Sequence, residues 1–180
     1  MSGSQFEAFD WRSLRENASE SIAEGWMLVT PGVPGRWNTM TASWGGFGHL
    51  WGMDVAFVFV RPSRHSFGFM EREGGFALSF FDESMREALQ VCGAKSGRDI
   101  DKAAAAGITP LGFALGDSER RVGFAEARLV VACRKIYSQD LDPERFVDPG
   151  IAKNYPRGDV HRLFVGAIEG SWRRLASTPA

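Results

Sequence analysis

The sequence predicts a mainly β fold, an antiparallel barrel with a few peripheral helices. Three observations carry that expectation. Short runs rich in Val, Phe, Leu and aromatic residues recur along the chain, each bounded by Gly, Pro or Asp. The links between them are mostly short, whereas a doubly wound parallel sheet would need a long helix after nearly every strand. No internal repeat, low-complexity tract or linker divides the 180 residues, so one domain spanning 1–180 is expected.

The first element is an amphipathic helix within 1–24. From Asp10 to Glu24, Trp11, Leu14, Ala18 and Ile22 fall at helical spacing, and Gly25 is the stop. Strands are expected over Trp26–Thr30, Trp37–Ser43, Val55–Val60, Phe76–Phe81, Glu126–Tyr137 and Arg162–Glu169. Between them His65–Glu73 and Ser84–Val91 have the composition of short helices, as does Asp99–Ala106, where four alanines precede Gly107. Gln139–Asp159, punctuated by Pro143, Pro149 and Pro156, reads as a surface excursion of the kind that serves a ligand or a partner.

Composition narrows the class. A hydrophobic share of 44% and a charged share of 24% are those of a soluble globular protein. No segment approaches the roughly 18 uncharged apolar residues of a membrane span, and Glu7 and Asp10 break the basic-then-apolar order of a signal peptide. The expectation is a cytoplasmic protein without a membrane partner. Cys92 and Cys133 are far apart and in neither a CxxC nor a zinc spacing, so they read as buried inert thiols, with no metal site. A net charge of −1 offers no general attraction to nucleic acid, and any anion site must be local.

Chemistry concentrates in a few stretches. Asn38-Thr39-Met40-Thr41-Ala42-Ser43-Trp44-Gly45-Gly46 strings hydroxyl and amide side chains before an aromatic and paired glycines. Such a loop can lie against a flat polar ring system: hydroxyls and backbone N–H groups meet its edge, Trp44 packs over or beside it, and glycine admits close approach. The same residues could equally be a strand ending in a turn. There is no GxGxxG after a strand, no GxxxxGK[ST], no GxSxG and no HExxH.

In these blocks the chain resembles the flavin reductase-like family of the FMN-binding split barrel. The resemblance runs over nearly the whole length and rests on 38–46, on Val60-Arg61-Pro62-Ser63-Arg64, on Leu78-Ser79-Phe80-Phe81, on 92–102, and on Glu126-Ala127-Arg128-Leu129 followed by His161-Arg162-Leu163-Phe164-Val165-Gly166. It implies a split β-barrel of antiparallel Greek-key type, with FMN (or FAD) near the interface of a homodimer. It also implies NADH or NADPH as hydride donor and a second electron acceptor. An FMN-binding electron carrier like flavoredoxin, served by a redox partner protein, is the alternative.

With a flavin phosphate in view, two blocks supply converging donors. Arg61, Arg64, His65 and Ser66 follow a strand where it runs into a helix N-terminus. Lys95, Ser96, Gly97, Arg98 and Lys102 form the second, ahead of the alanine-rich helix. In similar flavin reductases a histidine at the position of His161 lies near the flavin and the nicotinamide, which makes His161 the candidate catalytic residue. His49 has a weaker claim. In such a homodimer the excursion Gln139–Asp159, Tyr155 included, is expected to reach over the neighbouring site.

Overall fold

Apolar runs become strands buried on both faces. In the computed structural model residues 5–117 and 119–175 are described; residues 1–4 and 176–180, the ends of the expected 1–180 domain, lie outside them, as does Ser118. The main sheet is antiparallel throughout. β1 (Phe6–Ala8), β2 (Met27–Val33), β3 (Arg36–Trp37), β4 (Met40–Ala42), β5 (Gly45–Leu50), β6 (Met53–Val60), β7 (Gly75–Phe80), β10 (Leu129–Asp140) and β11 (Arg162–Arg174) compose it, in the order β3-β2-β7-β10-β11-β6-β5, with β4 on β2 and β1 on β11. The sheet is not closed on itself. A separate hairpin pairs β8 (Pro110–Leu115) with β9 (Glu119–Phe124).

Two hydrophobic clusters follow from the two-residue period of a strand. Met27, Val29, Phe76, Leu78, Phe80, Val131 and Cys133 form one with Met70 of helix α2 (His65–Arg72). Leu28, Ala77 and Val130, their neighbours in sequence, face the other way onto Phe113, Phe124 and Leu89 of helix α3 (Arg86–Ala94). The central strands are therefore covered on both sides. No helix among the described residues is long and apolar enough to cross a membrane.

Several expected elements change shape. The helix expected over Asp10–Glu24 exists only as α1 (Ala18–Ala23), after a single 3₁₀ turn at Trp11–Ser13. Asn17 Oδ1 accepts from the backbone N–H groups of Ser19 and Glu20, and that cap starts the helix late. Gly45, Gly46 and Gly48 lie in strand β5, and the turn to β6 is made by Trp51 (φ 52°) and Gly52 (φ 76°). The third helix is α4 (Lys102–Ala106), capped by Asp101 at its start and by left-handed Gly107 at its end. The 84–91 helix begins as a 3₁₀ turn at Glu83–Met85. The excursion after β10 holds two 3₁₀ segments, Pro143–Arg145 and Pro149–Asn154.

Candidate functional site

β4 ends in a bend at Ser43 and Trp44, and this bend forms one wall of a cleft. The opposite wall is the turn between β6 and α2, and the floor is the loop joining α3 to α4. Two adjoining cavities share Met40, Arg61 and Arg64. The smaller, about 160 Å³, is lined further by Thr41, Ala42, Ser43, Trp44, Phe59 and His161. The larger, about 360 Å³, adds Ser63, His65, Ser66, Ala94, Lys95, Ser96, Arg98 and Lys102.

Among the described residues, not one carboxylate lines either cavity. The side chains of Lys95 and Arg98 make no hydrogen bond or ion pair among the described residues. Burial, then the charges of Arg98, Lys102 and Arg72, outweigh Asp99 and hold the His65 imidazole below its ordinary pKa. The side-chain charge lining the larger cavity is thus cationic, and the first residues of α2, His65 and Ser66, border it.

Lys102 is the exception among the cations, being buried. Its ammonium donates to Thr39 O at 2.8 Å and Cys92 O at 2.7 Å, tying α4 to the β3–β4 loop and the last turn of α3. Burial pushes its pKa down. Asn38, Thr39 and Gly97 stand behind the cavity wall. Asn38 Nδ2 donates to Ser66 Oγ at 2.7 Å, Thr39 and Thr30 share a hydroxyl hydrogen bond of 2.9 Å, and Gly97 backs onto Asn38. Thr41 donates its hydroxyl to Leu89 O, which leaves Ser43 as the edge hydroxyl with no hydrogen-bond partner among the described residues.

Arg61 sits where the cavities join, yet its guanidinium donates to Asn154 O and Asp159 O, both at 2.9 Å. It also lies 5.1 Å over the Tyr155 ring. The Tyr155 hydroxyl meets His161 Nδ1 of the same chain at 3.0 Å. His161 packs 4.9 Å from the Trp44 ring, and Trp44 is 44% exposed. Burial first, then Arg61 and Arg64 against the opposing charge of Asp159, push the His161 imidazole down to about 4. His49 lines neither cavity and is paired with Asp54 at 3.1 Å.

Phe59, Ser63 and Ala94 complete the lining without having been singled out. Phe59 stands between Val58 and Val60, both fully buried, and so faces the other way, as the two-residue period of a strand dictates. Cys92 and Cys133 are both buried and unpaired, and burial raises the Cys92 thiol to about 11.

A family model described as the flavin reductase like domain matches residues 19–179. No curated protein sequence matches the chain. Among solved structures, an FMN-binding domain of a flavin reductases-like enzyme from Shewanella baltica superposes with a TM-score of 0.66 at 19% identity, covering 94% of this chain and 77% of that one. Flavoredoxin of Desulfovibrio vulgaris gives 0.61 at 19%, covering 92% and 74%. An NADH:FAD oxidoreductase of Streptomyces globisporus gives 0.60 at 14%, covering 87% and 86%.

Proposed function

The chain belongs to the flavin reductase-like family, and on that premise we propose that it is an NAD(P)H:flavin oxidoreductase using FMN, or FAD, and delivering electrons to a second acceptor. The observation that carries the reading is the division of the cleft. A larger, carboxylate-free cavity rich in cations adjoins a smaller one edged by backbone, Ser43 and Trp44. That donor set fits a phosphorylated cofactor with a flat ring. Lys95, Ser96 and Arg98 would hold the phosphate together with Arg64 and the α2 N-terminus. Met40–Ser43 would meet the ring edge, with Trp44 shielding it.

Flavin, when bound, supplies the redox chemistry, since its ring accepts a hydride and releases the electrons onward. The chain's own residues bind, orient and shield, which is why no nucleophile or metal cluster is needed. His161 presents an uncharged imidazole to the smaller cavity and is the group best placed to orient a nicotinamide. A homodimer is part of the proposal, because Trp44 is left half-exposed at the mouth and a second copy would close it. Free thiols and use of nicotinamide coenzymes accord with a cytoplasmic setting.

Anaerobic mixing of the FMN-loaded protein with NADH and with NADPH tests this. Bleaching of the visible flavin band with either donor is expected. A band that persists with both defeats the reductase reading and favours the second, an FMN-binding electron-transfer protein reduced by a partner. The likeness in fold to flavoredoxin is what keeps that reading alive.

A further inference from the structure

Tyr155 is held more firmly than a surface loop residue needs to be. Arg61 covers one side of its ring, and Phe146 stacks on it with centroids 5.7 Å apart and planes at 21°. The residues flanking it are tied down as well: Asn154 O and Asp159 O accept from Arg61, and the Asp159 carboxylate accepts from Ser63 N and Ser63 Oγ. All this rigidity serves one polar contact, the 3.0 Å hydrogen bond to His161 Nδ1. Across the imidazole stands Trp44.

The direction of that hydrogen bond follows from elementary acid–base chemistry. A neutral imidazole has one bare nitrogen and one N–H, and the bare nitrogen is a far better acceptor than a phenol oxygen. A phenol O–H is correspondingly the better donor, and Tyr155 has no other acceptor among the described residues. We infer that Tyr155 is a positioning residue that donates its hydroxyl proton to His161 Nδ1 and so fixes His161 as the Nε2–H tautomer, an uncharged donor for a carbonyl oxygen in the cleft. Nε2 has no hydrogen-bond partner among the described residues, and His161 lines the smaller cavity. The charged groups around it, Arg61 and Arg64 against Asp159, favour the uncharged ring.

The tautomer stands independently of the reductase reading; its use, to hold a carboxamide or ring carbonyl for hydride transfer, rests on it. The chain has three histidines, so nitrogen-15 spectra of histidine-labelled, FMN-loaded protein at neutral pH resolve them, with His161→Gln assigning the signal. A protonated Nε2 and a bare Nδ1 are expected in the parent protein, and a mixture of tautomers in Tyr155→Phe. A proton on Nδ1 in the parent, or identical populations in both proteins, overturns the inference. In the kinetic arm, Tyr155→Phe should raise the KM for coenzyme or lower the flavin reduction rate by about tenfold, with FMN affinity unchanged. The tautomer shift without any reduction by coenzyme in either protein supports the role of Tyr155 while the reductase reading fails.

Discussion

Gly97 is packed so tightly on Asn38 that a Cβ placed on it would come within 2.1 Å of Asn38 Oδ1 and 3.0 Å of its Cγ. Asn38 cannot swing aside freely, because it is buried and its Nδ2 is bonded to Ser66 at the start of α2. Gly97→Ala should therefore push the α3–α4 loop off the cleft wall and break that bond. The expected cost is about 1 to 3 kcal/mol in urea unfolding, as for other overpacked sites. FMN titration should show weaker binding, since Ser96 and Arg98 move with the loop.

Arg98 and Lys102 come from one cationic block and should fail in opposite ways. Arg98→Ala removes a side chain with no hydrogen-bond or ion-pair partner among the described residues, so stability should hold while FMN binding weakens by about 1 to 3 kcal/mol, one charge-assisted contact. Fluorescence titration checks it, and unchanged affinity counts against Arg98 as a phosphate ligand.

Lys102→Met takes the ammonium donor away from Cys92 O and from Thr39 O, which keeps only the 3.4 Å hydrogen bond from Asn38 Nδ2. A loss of about 1 to 3 kcal/mol in unfolding free energy is expected from the under-satisfied buried carbonyls. Thermal melting of the flavin-free protein is the clean measurement, because it separates this structural role from any contact with a ligand.

How far the sequence could be read depends on which contacts are local. Central strands announced themselves because β2, β7 and β10 are buried on both faces and so are nearly continuous apolar runs. β5 was hidden: Gly45, Gly46 and Gly48 resemble a turn, and only pairing with β6 extends them. The β8–β9 hairpin lacks clean alternation and was missed for a similar reason, its Phe113 and Phe124 being recruited by a distant core. In the cleft, residue types pointed to segments that the fold brings together: Met40–Trp44, Arg64–Ser66, and Lys95, Ser96 and Arg98 line it. What type alone could not say was which side chains turn inward. Asn38 and Thr39 bond to Ser66 and Thr30, and Arg61 to the excursion, through partners 9 to 98 residues away.

Arg61 is the staple for that excursion. Arg61→Ala deletes two hydrogen bonds to Asn154 O and Asp159 O and the cation over Tyr155, while the packed sheet is untouched. The segment carries Arg145, Lys153 and Arg157. Trypsin should cleave there roughly tenfold faster than in the parent protein, with little change in the global melting temperature, as local opening requires. Equal cleavage rates would show that other contacts hold the segment.

The buried imidazole of His161 makes stability depend on pH in a defined window. Its pKa is about 4 in the folded protein and near the ordinary value of 6.5 in the unfolded chain. Above 6.5 neither state binds the proton and the group is silent. As pH falls from 6.5 towards 4 the unfolded chain takes up a proton that the native protein refuses, so stability drops by about 1.4 kcal/mol per pH unit at most, and levels off below 4. His65, held down by burial and then by Arg98, Lys102 and Arg72, acts in the same direction, and carboxylates held below their usual range, such as Asp54 and Asp140, act only at lower pH. Comparing urea unfolding of the parent protein and His161→Gln at pH 7 and pH 5 isolates the contribution: the parent should lose the greater stability over that interval, and equal losses would mean that His161 titrates alike in both states.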